Sequence, residues 1–362
     1  MEGASVPLRV GPSRLSVSIF QVCGLVGLAA AVAVALGACS ARALSFGVET
    51  AIILVSIAVF FVLAFATKAV TGAEALIYYH HEIAVLCAAA GLAALLGAPV
   101  LGHLDATALG LGAFLACGRV GCLSAGCCHG RPAARGVQYG AAHVAAGFPG
   151  YLSGRTVLPV QAIEAGGVAA LVLAGLVLVP DTPGAAFGFY VSGYAVLRFG
   201  LEMLRGDPQR PYWHGLSEAQ WTSLFVALAI TALAAARLVP GLVLHAICAA
   251  ALVIALPFAV RPPRRLLDPR HVRELAVRLT APHPGAEPRV GTTSLGIQVS
   301  VGLTGHVTHV TVSRRARALS ADETDALARV VQWLTAHEQQ PRVQPGAGGA
   351  VHLLFQAADR KR

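Results

Sequence analysis

Eight long apolar segments limit the fold of this chain more than any other feature. Most are long enough for an α-helix to cross a hydrocarbon core of about 30 Å. Backbone exposed to lipid must satisfy its own hydrogen bonds, so each segment is predicted to be helical. The segments lie near residues 17–38, 48–67, 83–101, 106–123, 159–180, 184–204, 219–238 and 241–260.

The scarcity of charge agrees with this pattern. Only 12% of the 362 residues are charged, against roughly 25% in soluble domains. We therefore predict an all-α polytopic membrane protein with seven or eight transmembrane helices. A soluble globule, a disordered chain and a nucleic-acid-binding module are excluded.

The first and fourth segments differ from simple spans. The fourth is short and carries Arg119, so it is expected to be a broken or a buried helix. The first ends in Leu36, Gly37, Ala38 and Cys39, which resembles a lipoprotein signal box. Its apolar run is longer than a signal-peptide core and further spans follow, so we expect the helix to be retained.

The character of the chain changes after Pro262 and Pro263. We predict a transmembrane domain over residues 1–262, and an Arg-rich linker with a small soluble α+β domain over 263–362. Alternating apolar residues indicate strands, and Ser320 with Glu323 forms a capping-box pattern that opens a helix. The predicted strands are 290–302, 306–313 and 350–356, and the predicted helix runs to about His337.

Ionisable residues inside apolar spans are costly and are functional by default. Tyr194, Arg198, Glu202 and Arg205 share one helix face at 3.6 residues per turn, so Glu202 is expected to bridge both arginines. Two arginines against one carboxylate leave a positive charge for an anion such as phosphate. A purely structural salt bridge between helices is the alternative.

Two further polar clusters lie near the ends of spans. Arg119 opens the stretch GRVGCLSAGCCHGRP (118–132), in which Gly121 and Gly130 are expected to let a head group reach backbone N–H donors. His80 and His81 lie at the start of the third span, where a histidine can serve as a general base. An interfacial histidine pair without a chemical task is the alternative.

Several motifs, taken in order, resemble the bacterial prolipoprotein diacylglyceryl transferases. The resemblance covers roughly residues 10–240. The stretches that carry it are VGPSRLSVS (10–18), GRVG and GRP within 118–132, PVQAIEA (159–165), YAVLRFGLEMLRGD (194–207) and GLSEAQ (215–220).

The resemblance implies an activity and a location. Members of this family transfer a diacylglyceryl group from phosphatidylglycerol to the signal-box cysteine thiol of prolipoproteins, releasing glycerol phosphate. It implies a multi-pass protein of the bacterial cytoplasmic (inner) membrane whose partners are membrane lipid and prolipoprotein signal peptides. No cofactor, metal or nucleic acid is expected.

Position by position, the resemblance also implies site residues. Arginines would hold the lipid phosphate, and a histidine or carboxylate would take the thiol proton. The implied catalytic residues are His80 or His81, Arg119, Arg198 and Glu202. The implied substrate-binding residues are Arg119, Gly121, Gly130, Gln161, Glu164, Tyr194, Arg198, Arg205 and Gln220.

The sequence departs from the family pattern at several polar positions. His81 and Glu82 replace the two glycines after the family histidine, Cys122 replaces an asparagine and Cys127 a glutamate. These changes leave two alternatives open. One is a divergent paralogue with Cys-dependent lipid or thiol-redox chemistry, and the other is a non-catalytic lipid-binding membrane protein.

Four cysteines cluster at Cys117, Cys122, Cys127 and Cys128. Their gaps of four, four and no residues are unlike paired zinc ligands, so no metal site is expected. Small residues packed near a lipid site, a disulfide from Cys122 to Cys127 or Cys128, and a thiol site formed by Cys122, Cys127 and Cys128 remain the alternatives.

The charge pattern leaves the topology open. With eight spans, both termini and the three polar clusters share one side. Five arginines after the last span would place that side in the cytoplasm, whereas the resemblance implies an outer active face. Seven spans would put the active face outside and the tail inside, and we favour that arrangement. The arginines are Arg261, Arg264, Arg265, Arg270 and Arg273.

Overall fold

The computed structural model describes residues 4–5, 9–10, 17–71, 78–180, 182–208, 212–279, 290–304, 307–337 and 339–356. Nine helices precede residue 260 in this part of the chain, of which α5 is a short loop helix. They are α1 (Ile19–Ala41), α2 (Phe46–Thr71), α3 (Tyr78–Leu95), α4 (Val100–Ala125), α5 (Ala141–Ala145), α6 (Val160–Leu178), α7 (Ala185–Glu202), α8 (Glu218–Ala235) and α9 (Leu242–Ala259).

The helices confirm a polytopic membrane protein. Six of the described helices, α1, α2, α4, α6, α8 and α9, are long and apolar enough to cross a membrane. The other two predicted spans correspond to α3, a shorter apolar helix, and to α7, which carries the ionisable residues. The third predicted segment begins later than α3 and runs past it into α4.

Helix α4 is a continuous buried helix, so the fourth segment is not broken. Half of its apolar stretch is buried inside the protein. It packs closely on α1, since a Cβ added at Gly110 would lie 2.9 Å from the Ala31 carbonyl oxygen. Small residues on both helices therefore allow close backbone approach.

Short strands lie in the loops of the membrane domain. The chain between α4 and α6 holds β4 and β5, and β1 pairs with β4 in parallel. Two further pairs, β2 with β3 and β6 with β7, are antiparallel. The strands are β1 (Ala4–Ser5), β2 (Arg9–Val10), β3 (Val17–Ser18), β4 (Pro132–Gln138), β5 (Thr156–Val157), β6 (Tyr212–Trp213) and β7 (Leu216–Ser217).

The tail folds into the predicted small α+β unit. Its antiparallel sheet has the order β11-β12-β10-β9-β8, and Val310 pairs with both Val301 and Leu353. The elements are α10 (Pro269–Arg278), β8 (Gly291–Thr292), β9 (Ile297–Thr304), β10 (Val307–Arg314), α11 (Ala321–Leu334), β11 (Arg342–Pro345) and β12 (Val351–Gln356).

Local signals explain most of the tail. The capping box of Ser320 and Glu323 starts α11 as expected. The first predicted strand is divided into β8 and β9, because Gly296 adopts a positive φ of 72° in a turn. Part of the expected linker is the helix α10, capped by Asp268, and β11 had no clear sequence signal.

The tail packs on the membrane domain beside the α4–α6 loop. The rings of Tyr151 and Trp333 lie 5.1 Å apart, and Arg155 pairs with Asp325 at 3.4 Å. This loop follows the end of α4 that carries Arg119. The favoured arrangement, with the active face and the tail on opposite sides, is therefore wrong, because apolar packing holds both at one end.

Candidate active site

Three helices bring a network of arginines and carboxylates together. The Nε atom of Arg119 on α4 lies 3.0 Å from Oε2 of Glu164 on α6. On α7, Nη2 of Arg198 lies 2.6 Å from Oε1 of Glu202 one turn later. The hydroxyl of Tyr194 donates to Oε1 of Glu164 at 3.0 Å, which joins the two pairs.

The local sequence explains this convergence in part. Tyr194, Arg198 and Glu202 follow one another at four-residue intervals on α7, so they line one face. The Glu164 carboxylate is fully buried, and Nε of Arg198 approaches it to 3.9 Å. A buried carboxylate between two guanidiniums is stabilised by both charges.

A further ion pair between an arginine and a carboxylate forms where α7 ends. Nε and Nη2 of Arg205 donate to the two carboxylate oxygens of Asp207, at 2.8 and 3.0 Å. Arg205 also forms an isolated β-bridge with Gly130, and the Gly206 N–H donates to the His129 carbonyl at 2.9 Å. Sequence reasoning missed Asp207, although its place two residues after Arg205 was a usable signal.

The structure corrects the charge argument made from the sequence. Three buried arginines, Arg119, Arg198 and Arg205, face three carboxylates rather than one, because Glu164 and Asp207 join Glu202. The network is neutral in formal charge, so surplus positive charge cannot be the reason for anion binding.

Unused hydrogen-bond donors are a better reason to expect that an anion binds here. Among the described residues, Nη1 of Arg198 and Nη1 of Arg205 are buried without a hydrogen-bond partner. The Gln161 side-chain oxygen likewise has none. Buried donors of this kind cost free energy unless a ligand accepts from them. A phosphate oxygen would satisfy the guanidiniums, and a ligand hydroxyl would satisfy Gln161.

A cavity of about 600 Å³ adjoins Arg205 and lies between the membrane domain and the tail. From the membrane domain it is lined by Glu202, Arg205 and Gln220. From the tail side it is lined by Arg264, Arg265 and Asp322. The tail and its linker therefore form one wall of the approach to Arg205.

The two glycines expected to expose backbone donors do not do so. A Cβ at Gly121 would lie 3.1 Å from Cβ of Cys23, so this glycine serves the packing of α4 on α1. The Gly130 N–H donates to the Leu158 carbonyl at 3.1 Å. The expectation is wrong because helix packing and a loop bridge already use these positions.

The two glutamines have different surroundings. The Gln161 amide donates to the Cys127 carbonyl at 2.7 Å and thereby ties α6 to the loop after α4. The Gln220 side-chain oxygen accepts from the Ser217 N–H at 3.0 Å, which completes the capping box of α8. Gln161 thus lies with the arginine network, whereas the side chain of Gln220 starts a helix at the cavity wall.

The histidines lie on different faces of α3. Nε2 of His80 is 2.8 Å from Oε1 of Glu218, and both side chains are substantially exposed. The His81 ring is buried and packs against Phe60 of α2, with ring centroids 4.8 Å apart. The preceding residue, Tyr79, contacts Tyr194 and shares a 2.8 Å hydrogen bond with Ser223. Tyr79 therefore connects α3 to the network.

Three cysteines converge beside the network. The sulfur atoms of Cys122, Cys127 and Cys128 all lie within 4.8 Å of one another, whereas Cys117 packs against Gly27 of α1. In the described part of the chain none of the three belongs to a disulfide. The pKa of Cys128 lies well below its ordinary value because the Cys122 and Cys127 thiols hydrogen-bond to it, with added attraction from nearby arginines.

The family model of prolipoprotein diacylglyceryl transferase matches residues 13–236, well over half of the chain. The chain belongs to this family. The match contains the whole arginine network and the three cysteines, and it ends before the tail. No curated protein matches the chain closely enough to be counted as a relative.

Membership confirms the resemblance seen in the motifs and establishes a coarse function. The prolipoprotein diacylglyceryl transferase family is a family of transferases that use lipid and lipoprotein substrates. This chain is accordingly a multi-pass membrane protein of transferase type.

Proposed function

We propose that the protein transfers a diacylglyceryl group from phosphatidylglycerol to the signal-box cysteine thiol of prolipoproteins in the bacterial cytoplasmic membrane. The observation that carries this proposal is a pair of guanidinium nitrogens, Nη1 of Arg198 and Nη1 of Arg205, that are buried without a hydrogen-bond partner among the described residues, with Arg205 lining a cavity. A phosphodiester offers the oxygen acceptors that these donors lack.

The lipid phosphate would lie between the arginines. Guanidinium groups bind phosphate through paired N–H donors and gain strength in a site from which water is excluded. The Arg198 and Arg205 side chains are only 5% and 1% exposed. Glu164 and Glu202 hold the Arg198 guanidinium in place and Asp207 holds that of Arg205, so little reorganisation accompanies ligand binding.

The bond changes follow from this placement. The thiol sulfur attacks the terminal glycerol carbon of the diacylglyceryl group, a carbon–sulfur bond forms and the carbon–oxygen bond to phosphate breaks. The electron pair leaves on the phosphate oxygen, where negative charge develops. Arginine donors directed at that oxygen stabilise the charge, and one such donor is typically worth about 10²- to 10³-fold in rate.

His80 is the better of the two candidate bases. Its ring is accessible and paired with Glu218, and this pairing orients the imidazole for proton transfer. The His81 ring is buried against Phe60 and is assigned to packing. Gln161 would accept a hydrogen bond from a hydroxyl of the lipid glycerol.

The assay follows the mass of a signal-box peptide mixed with purified protein and phosphatidylglycerol. We expect a diacylglyceryl mass gain that is lost in Arg198→Ala and kept in the matched control Arg237→Ala, which changes an exposed arginine after α8. No mass gain from protein shown to be folded would refute the transferase proposal. A gain in which both variants behave alike would refute the role of the arginines.

A further inference from the structure

We propose that Cys122, Cys127 and Cys128 form a three-thiolate site for a zinc-class divalent ion with one open coordination position. The inference goes beyond the family reaction at the level of binding. Its last step, the capture of the substrate thiol, rests on the proposed function. The spacing of the cysteines gave no sign of such a site, because the chain reverses direction between them.

Backbone geometry brings the sulfurs together. Gly126 ends α4 in the left-handed region with a φ of 78°, and Cys128 adopts a φ of 56°. Residues other than glycine rarely adopt this conformation, and it is found where surrounding structure imposes it. This loop folds Cys127 and Cys128 back over Cys122, which lies in the last helical turn of α4. Side chains separated by four residues of sequence therefore come close together.

The sulfur positions suit a tetrahedral ion. Zinc–sulfur bonds of about 2.3 Å place the sulfurs of a tetrahedral site about 3.8 Å apart. Sulfurs that already lie within 4.8 Å need shifts of about 1 Å or less to reach this distance. Three protein ligands and one open position are typical of catalytic rather than structural zinc.

Charge favours the same occupant. Three thiolates and one divalent cation carry a net charge of −1. Arg119 and Arg205 both attract the Cys128 sulfur electrostatically. Both arginines are already balanced by carboxylates, so this local attraction, and not a surplus of positive charge, favours a site of negative sign.

The exposure of the three cysteines also suits an ion-binding site. Cys127 is exposed, while Cys122 and Cys128 are partly buried, so an ion can enter from solvent and retain a position open to a ligand. The Gln161 amide fixes the Cys127 carbonyl at 2.7 Å and limits how far the loop can open.

The open position would receive the thiol of the incoming prolipoprotein cysteine. Coordination to the ion would lower the pKa of the incoming thiol, and its proton would pass to the proposed base, His80, leaving the thiolate that the transfer requires. The thiolate then forms the carbon–sulfur bond as the phosphate leaves with its electron pair.

The first test uses cobalt(II) as the probe on full-length protein freed of metal with a chelator. Tetrahedral thiolate ligation gives cobalt intense visible and charge-transfer bands. We expect one cobalt per chain, displaced by zinc, and loss of the bands in Cys127→Ser. The matched control Cys248→Ser, on α9, should keep them. Because Cys127 is exposed, its substitution is not expected to disturb folding, and a thermal melt checks this.

Three results would overturn the site. These are no stoichiometric cobalt, equal binding by Cys127→Ser, and a disulfide between two of the three cysteines in protein isolated without reductant. The second test adds a signal-box peptide without phosphatidylglycerol. A change in the charge-transfer bands with the cysteine peptide, absent with its serine version, supports thiol capture, and no change refutes it.

The two proposals fail in different ways. Cobalt binding and thiol capture are measured without any lipid, so they stand even if no diacylglyceryl transfer occurs. Conversely, transfer by chelator-treated protein at an unchanged rate would refute the role of the ion in catalysis and leave the transferase proposal intact.

Discussion

The two ends of the helical bundle carry buried charges of different kinds. At one end, Arg119, Arg198 and Arg205 face three carboxylates beside a cavity. At the other, Asp105 accepts hydrogen bonds from the Gly184 and Phe187 N–H groups at the start of α7, at 2.8 and 2.7 Å. Arg119 and Asp105 are separated by about 21 Å along α4 at 1.5 Å per residue.

The difference lies in what adjoins each end. Both oxygens of Asp105 are occupied by backbone donors, and Arg42 adds an ion pair at 3.4 Å, so this carboxylate fixes the position of α7. Guanidinium nitrogens without a hydrogen-bond partner among the described residues occur at both ends, on Arg42 as well as on Arg198 and Arg205. Buried charge and unpartnered donors by themselves therefore do not indicate function, and the feature that singles out the arginine end is the cavity that Arg205 lines.

The largest expected effect is on activity at the arginine end. Arg198→Lys keeps the positive charge but loses the planar set of donors, so we expect activity to fall about 10²- to 10³-fold. Peptide mass gain under single-turnover conditions measures this.

A double variant separates activity from stability at this site. Arg198→Gln alone leaves Glu202 buried without its cation and should destabilise the protein by about 3–5 kcal/mol. Adding Glu202→Gln should recover much of that stability and none of the activity. Full activity in either variant would show that Arg198 and Glu202, like Asp105, serve the stability of the fold and not the reaction.

The next effect tests the loop bridge that holds Arg205. A Cβ at Gly130 would lie 2.5 Å from the Leu158 carbonyl oxygen, so Gly130→Ala should displace the bridge and lower both activity and melting temperature. Gly118→Ala is the matched control, because open space surrounds a Cβ there. Similar melting curves and rates for the two variants would contradict the role of the bridge between Gly130 and Arg205 in positioning that arginine.

At the opposite end we expect a change in stability alone. Asp105→Asn retains one acceptor but weakens two backbone hydrogen bonds and the Arg42 pair, at a cost of about 1–3 kcal/mol. Denaturation in detergent measures the loss, and activity per folded molecule should stay within about twofold of the wild type. A large drop in the activity of folded protein would show that Asp105 affects the reaction as well, and would refute its purely structural role.

The smallest effect concerns the tail that forms one wall of the cavity. Hydrogen bonds from Arg317 and the Ser320 N–H lower the pKa of Glu323 to about 2. Its folded pKa lies below the unfolded value of about 4.5, so its stabilising contribution is present above pH 4.5 and is lost as the pH falls toward 2.

Glu323→Gln removes this dependence and weakens the capping box. We expect a loss of about 0.5–1 kcal/mol at pH 7, shrinking toward zero at pH 2. Thermal melts across this range check it, and a loss that does not depend on pH would contradict the assignment. Unchanged transferase rates at pH 7 would show that the tail wall tolerates this change.

Much of the fold was predictable because its signals are local. Apolar runs fixed the membrane helices, the Ser320–Glu323 pattern fixed the start of α11, and four-residue spacing placed Arg198 and Glu202 on one face. The miss at α10 has a physical reason. This helix is amphipathic and buries Val272 and Leu275 only by packing on the tail, so a Pro- and Arg-rich stretch read alone predicts a linker.

The site was predictable as a set of residues but not as an arrangement. The sequence by itself determined the chemistry available, namely the arginines, the carboxylates, the histidines and the thiols, and its family motifs determined the class of enzyme. Only the tertiary structure decided that Glu164 and Asp207 neutralise the arginines, that His80 rather than His81 is accessible, and that three cysteines meet. The reason is distance along the chain. Helical periodicity relates residues within a few turns, whereas contacts between α4, α6, α7 and the loops depend on how whole helices pack.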